Sequence, residues 1–133
     1  MPPGVMMAGQ ASAPQGKVRR SMASFEARTV AEQGRVTVFL TGDCDLAARD
    51  RLTTVLLDAV SRSGAVFVDL AGVGFLDSTG VHSLVTAHHA ALARGGRVYV
   101  LNAAGAVAVV LELTGLDTLL QAPVTKAEER RHA

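Results

Sequence analysis

Between residues 24 and 32 the side chains alternate, with Phe25, Ala27 and Thr29 on one side and Glu26 and Arg28 on the other, which predicts a strand. Gln33-Gly34 supplies a tight turn, and residues 35–41 alternate again, Val36, Val38 and Leu40 inward and Arg35, Thr37 and Phe39 outward. These two strands make a hairpin. After a loop of Gly42-Asp43-Cys44-Asp45 the period changes. Leu52, Val55, Leu56, Ala59 and Val60 recur at helical spacing, and Arg49, Asp50, Arg51 and Asp58 mark the wet side of that helix. Ser63-Gly64 ends it. Residues 66–70 form an apolar run with one acid and read as a buried strand, followed by a loop punctuated by Gly72 and Gly74. A second helix over 78–94 stops at Gly95-Gly96, a short strand covers 97–101, and a third helix over 103–114 ends at Gly115. Residues 116–120 read either as a last strand or as a turn of helix.

The order is therefore β-β-α-β-α-β-α, an α/β domain with a mixed four- to five-stranded sheet packed with helices. Strands joined through helices imply right-handed parallel crossovers, so the second, third and fourth strands should run parallel. Their C-terminal ends then share one edge, which collects residues 42–45, 74–79 and 102–104. In open α/β sheets this is the edge where ligands and partners dock.

The chemistry concentrated there is acidic and hydroxylic. Asp77, Ser78 and Thr79 stand where a strand gives way to a helix, and Asp or Ser at that place can cap the helix by accepting from an orphaned backbone N–H. A hydroxyl at the positive end of a helix dipole is a good place to hold a phosphate, whether bound or covalently attached. Asp45, just before Leu46, is a natural N-cap for the first helix, and Asp43 and Asp45 are both expected to line the docking surface. His82 lies one helical turn beyond Ser78, but no Gly-x-Ser-x-Gly elbow accompanies the pair, so hydrolytic catalysis is not expected. His88 falls on the apolar face of its helix and reads as a buried structural histidine. His82, His89 and the lone Cys44 lack zinc-ligand spacing, and Gly72, Gly74 and Gly80 do not form a phosphate loop, so neither metal nor cofactor is expected.

Composition narrows the class further. With 133 residues, 49% hydrophobic and 19% charged, the chain has enough apolar content for a core and is not a disordered protein. Few aromatics and no Trp argue against stacking platforms for single-stranded nucleic acid. Residues 1–21 carry Lys17, Arg19 and Arg20 and no acid and read as a flexible tail, whereas residues 22–122, the predicted domain, hold seven Arg against ten Asp plus Glu. A mildly acidic domain argues against nucleic-acid partners. Residues 123–133 read as a polar tail. A single cysteine permits no intrachain disulfide, and no apolar run reaches membrane-spanning length, so a cytoplasmic protein without a membrane partner is expected.

Four segments in order resemble the STAS domains, and within them the bacterial anti-sigma-factor antagonists. Leu40-Thr41-Gly42-Asp43-Cys44-Asp45 is similar to the family's acidic loop, and Phe75-Leu76-Asp77-Ser78-Thr79-Gly80-Val81 to its phosphorylation motif. Gly95-Gly96-Arg97-Val98 and Leu111-Glu112-Leu113-Thr114-Gly115-Leu116-Asp117 match later landmarks. The resemblance implies a non-enzymatic switch. The unphosphorylated protein would bind an anti-sigma factor, a serine kinase of GHKL type, and release the sigma factor. Phosphorylation at Ser78, with Thr79 the competing acceptor, would end binding until a serine phosphatase reverses it. Asp43, Asp45, Asp77, Ser78, Thr79, Gly80 and His82 would form the partner-binding surface. The alternative is an accessory or scaffold STAS protein of a transporter, lipid-trafficking or stress-signalling complex. Two departures stand out: Cys44 where relatives often have leucine, and an apolar third helix where they often carry charges near positions 108 and 109. That helix suggests a covered outer face and a possible homodimer.

Overall fold

The structure, a computed structural model, describes residues 24–123. The N-terminal tail and all but the first residue of the C-terminal tail lie outside the described residues. Alternation produces β1 (Glu26–Glu32) and β2 (Arg35–Cys44), antiparallel and in register from Glu26 opposite Thr41 to Glu32 opposite Arg35. Gln33 and Gly34 both take positive φ, the backbone twist that a two-residue hairpin turn needs. A short 3-10 turn, Leu46–Ala48, leads into α1 (Arg49–Arg62), β3 (Ala65–Leu76), α2 (Ser78–Ala93), β4 (Arg97–Leu101), α3 (Gly105–Thr114) and the single turn α4 (Leu116–Leu119). The sheet order is β1-β2-β3-β4, with β2, β3 and β4 parallel, as helical crossovers between them require.

One apolar layer holds these elements together. Val36, Val38 and Leu40 of β2 and Val66, Val68 and Leu70 of β3 are buried against Leu52 and Leu56 of α1, Leu84 of α2 and Leu111 of α3. Each fully buried aliphatic side chain contributes roughly 1.5–3 kcal/mol, so this layer outweighs any single cap or ion pair. The opposite face of the sheet differs from the expectation of a strand buried on both sides. There Phe67 packs against Tyr99 with ring centroids 5.0 Å apart, and the Arg35 and Arg28 guanidiniums lie over Phe67 and Phe39 at 4.0 and 4.4 Å. Stacked arginines half-cover the aromatic rings and keep their charge in water.

Three boundaries move. Residues 42–44 and 72–76, read as loops from their glycines, are strand: Thr41 pairs with Gly72, Gly42 with Val73, Asp43 with Phe75 and Cys44 with Leu76, across two irregularities of register. A Cβ on Gly72 would stand 2.5 Å from Cγ2 of Thr41, so glycine here serves close approach of neighbouring strands and does not break them. α3 begins two residues later than the apolar run suggests, because Asn102 takes left-handed and Ala104 extended backbone before it. Residues 116–120 resolve as the α4 turn, after which Gln121 makes one parallel bridge to Val100. The fifth strand reduces to that bridge.

Candidate functional site: the acidic edge around Ser78

At the end of β2 the Cys44 carbonyl oxygen accepts from the Asp77 backbone N–H at 3.3 Å, which joins the strand to the start of α2. Asp77 is the N-cap: its Oδ1 accepts from the N–H groups of Thr79 at 2.9 Å and Gly80 at 3.1 Å. Between the two capping candidates the structure thus selects Asp77, and Ser78 becomes the first helical residue, exposed and with its hydroxyl in no hydrogen bond among the described residues. The Asp77 carboxylate already occupies the place where a helix N-terminus would hold a free anion. Covalent attachment at Ser78, which needs only an accessible hydroxyl, is the phosphate chemistry that this geometry leaves open.

Gly80 explains the closeness of the junction. A Cβ there would stand 2.8 Å from the Cys44 carbonyl oxygen and would collide with Cδ1 of Leu76. Only glycine lets the first turn of α2 rest on the end of the sheet. Behind it the buried Ser83 hydroxyl donates to the Thr79 carbonyl oxygen at 3.2 Å and shares a 2.9 Å hydrogen bond with Thr53 of α1. Thr79 is half-buried and Ser78 is exposed, which separates the two hydroxyls by access.

Asp45 caps the 3-10 turn, its Oδ1 accepting from Ala48 N–H at 3.3 Å, as its place before Leu46 predicts. Asp43 faces Gly74, whose hypothetical Cβ would lie 3.9 Å from its Oδ1. The buried Cys44 thiol registers the three carboxylates together. Burial first, then Asp45, Asp43 and Asp77, pushes its pKa up to about 12, so it stays a neutral thiol. None of these acids joins an ion pair among the described residues, where the pairs are Arg49–Asp50, Arg51–Glu26 and Arg62–Asp58. No basic side chain thus pairs with the carboxylates of this edge among the described residues.

Other expected residues are placed differently. His82 is exposed on α2 with no hydrogen bond to Ser78, and His89 is exposed further along the helix. His88 is buried, as its apolar-face position predicts. Asn102 does not join the Ser78 group. Its side-chain amide donates to Asp69 at 3.0 Å, beside the Asp69–Leu101 register pair and seven residues of strand before Leu76. At about 3.3 Å per residue this is roughly 20 Å away, because β3 outruns β4. Two large apolar side chains, Leu46 next to Asp45 and Phe75 two residues before Asp77, stand exposed, which the sequence does not predict. Nothing in the local pattern marks their exposure. Among the described residues no group of three or more His, Cys, Asp or Glu is arranged to hold a metal ion, and no helix is long and apolar enough to cross a membrane.

Comparison with solved structures places this architecture among known ones. An anti-sigma factor antagonist from Mycobacterium paratuberculosis superposes with a TM-score of 0.68 at 24% identity, over 79% of this chain and 90% of that one. SpoIIAA, an anti-sigma factor antagonist, in its unphosphorylated form gives 0.64 at 21% identity over 82% and 95%. The Bacillus cell fate determinant SpoIIAA in its phosphorylated form gives 0.59 at 20% over 82% and 98%. A sulfate transporter family protein from Wolinella succinogenes gives 0.58 at 22% identity over 68% and 75%. At these identities the likeness is one of fold. A comparison with curated proteins finds no matching sequence. The STAS domain family model matches residues 26–130, so the chain belongs to the STAS-domain family.

Proposed function

We propose that the protein is an anti-sigma-factor antagonist whose acidic edge binds an anti-sigma factor and is switched off by phosphorylation at Ser78. The observation that carries this reading is a free, exposed hydroxyl on the first residue of α2 beside three unneutralised carboxylates. A phosphate adds about −1.5 to −2 charges at neutral pH. At the N-terminus of α2 that charge is tolerated within the fold. Against a docked partner it is not: it must be desolvated next to Asp77 and near Asp43 and Asp45, and like charges juxtaposed at an interface cost several kcal/mol. The exposed Leu46 and Phe75 supply the apolar contact that unphosphorylated binding requires. SpoIIAA, whose fold this chain shares, has been solved in both unphosphorylated and phosphorylated forms, which supports a fold that accepts the modification.

In this reading the partner is a serine kinase of GHKL type, a serine phosphatase restores the hydroxyl, and the chain performs no catalysis of its own. Incubation with the anti-sigma kinase and ATP should add one phosphate, and Ser78→Ala should abolish it. A second reading, an accessory or scaffold STAS protein, draws on the apolar side chains left exposed on α3. Loss of the kinase interaction with retention of a membrane-transporter partner in the native cell would favour it.

A further inference from the structure

The structure divides the apolar side chains of α3 into two sets. Val107 and Leu111 are buried in the core, whereas Val109 is 51% and Leu113 81% exposed. Next to them lies a groove of about 330 Å³ between α3 and the chain's return past β4. Its floor includes Val100, Ala108 and Leu111, and the exposed carboxylates of Glu112 and Asp117 stand on its rim. No Lys or Arg occurs between Arg97 and Lys126, and among the described residues neither carboxylate is in an ion pair. The surface is thus apolar and uniformly negative.

That chemistry selects among occupants. A second copy docked by two-fold symmetry would bring four carboxylates, Glu112 and Asp117 of each copy, into one interface with no Lys or Arg from this stretch between them. Of this chain's own basic segments, residues 124–133 bring Lys126, Arg130 and Arg131 but no aliphatic side chain larger than Val124, and residues 17–20 set Lys17, Arg19 and Arg20 around Val18 alone, each too little to cover Val109 and Leu113. An amphipathic segment of another protein, with one apolar face flanked by Lys or Arg, complements both properties at once. We propose that the α3 groove is a docking site for such a basic amphipathic helix of a second protein. It shares no lining residue with the edge around Ser78, so it stands or falls independently of the phosphorylation switch.

A synthetic amphipathic helix of about 18 residues, leucine on one face and lysine on its flanks, tests this when titrated into the isotopically labelled full chain. The expected result is amide shifts confined to residues 100–122, and none from a peptide with glutamate in place of lysine. Leu113→Glu and Val109→Glu should each weaken binding at least about tenfold while circular dichroism and Tm stay unchanged. Glu112→Lys should weaken it too, and Ser78→Asp should leave it intact. No binding, shifts elsewhere, or equal affinity for the acidic peptide would overturn the proposal. Concentration-dependent dimerisation abolished by Leu113→Glu would assign the face to a second copy. Binding seen only after removal of residues 124–133 would assign it to the chain's own C-terminal segment. Either result also overturns the proposal.

Discussion

The Asp77 backbone N–H donates to the Cys44 carbonyl oxygen across 3.3 Å, tying the last residue of β2 to the residue that caps α2. Asp45 follows one of these residues and Ser78 the other, so a single backbone bond fixes how far the acidic turn lies from the free hydroxyl. The Asp77 side chain reinforces the same junction by holding the Thr79 and Gly80 N–H groups. A charge placed on Ser78 therefore acts from a rigid support.

Gly80→Ala tests the support. Its methyl would meet the Cys44 carbonyl oxygen at 2.8 Å, a backbone atom of a packed strand that yields little, and would collide with Cδ1 of the buried Leu76. Overpacking of this kind destabilises by about 1–3 kcal/mol, which should appear as a lower urea midpoint with unchanged m-value. A neutral substitution would show the junction to be looser than described.

The cap makes a finer prediction. Asp77→Ala removes the acceptor for two N–H groups and should lower unfolding free energy by about 1 kcal/mol, whereas Asp77→Asn, an equally good cap, should stay near the parent. Equal losses in both variants would place the carboxylate's role in charge and not in capping.

Stability should also fall with acid through His88. The ring is buried with Nδ1 unpartnered among the described residues, and burial, then His89 and Arg97, holds its pKa below the ordinary imidazole value of 6.5. The unfolded chain therefore binds the proton first. The stability tied to neutral His88 is complete above that ordinary value and is lost as pH falls from there towards the folded pKa. Urea midpoints measured between about pH 7.5 and 5.5 should decline, and His88→Leu should flatten the decline. A variant with the parental slope would exonerate His88.

The periodicities of Val36, Val38 and Leu40 and of Leu52, Leu56 and Ala59 made the hairpin, the helices and the parallel order legible, because burial on one face imposes those spacings. Asp45 was legible as a cap for the same local reason. The strand character of Gly72 was not, since a glycine that admits Thr41 has the same sequence signature as one that turns the chain. Asn102 was misplaced because convergence at an edge depends on relative strand lengths, and β3 runs past the end of β4. The exposure of Leu46 and Phe75 depends on what tertiary packing leaves uncovered, which no local pattern encodes.

The most direct measurement compares the affinity of the full chain for its anti-sigma kinase before and after stoichiometric phosphorylation, with the phosphate mapped by fragmentation. Phosphate on Ser78, an unchanged Tm and binding weakened on the order of a hundredfold, roughly 2.7 kcal/mol, are expected. Ser78→Asp, with less charge than a phosphate, should lose at least about tenfold. Phosphate on Thr79, or undiminished binding by the protein phosphorylated at Ser78, would contradict the phosphorylation switch.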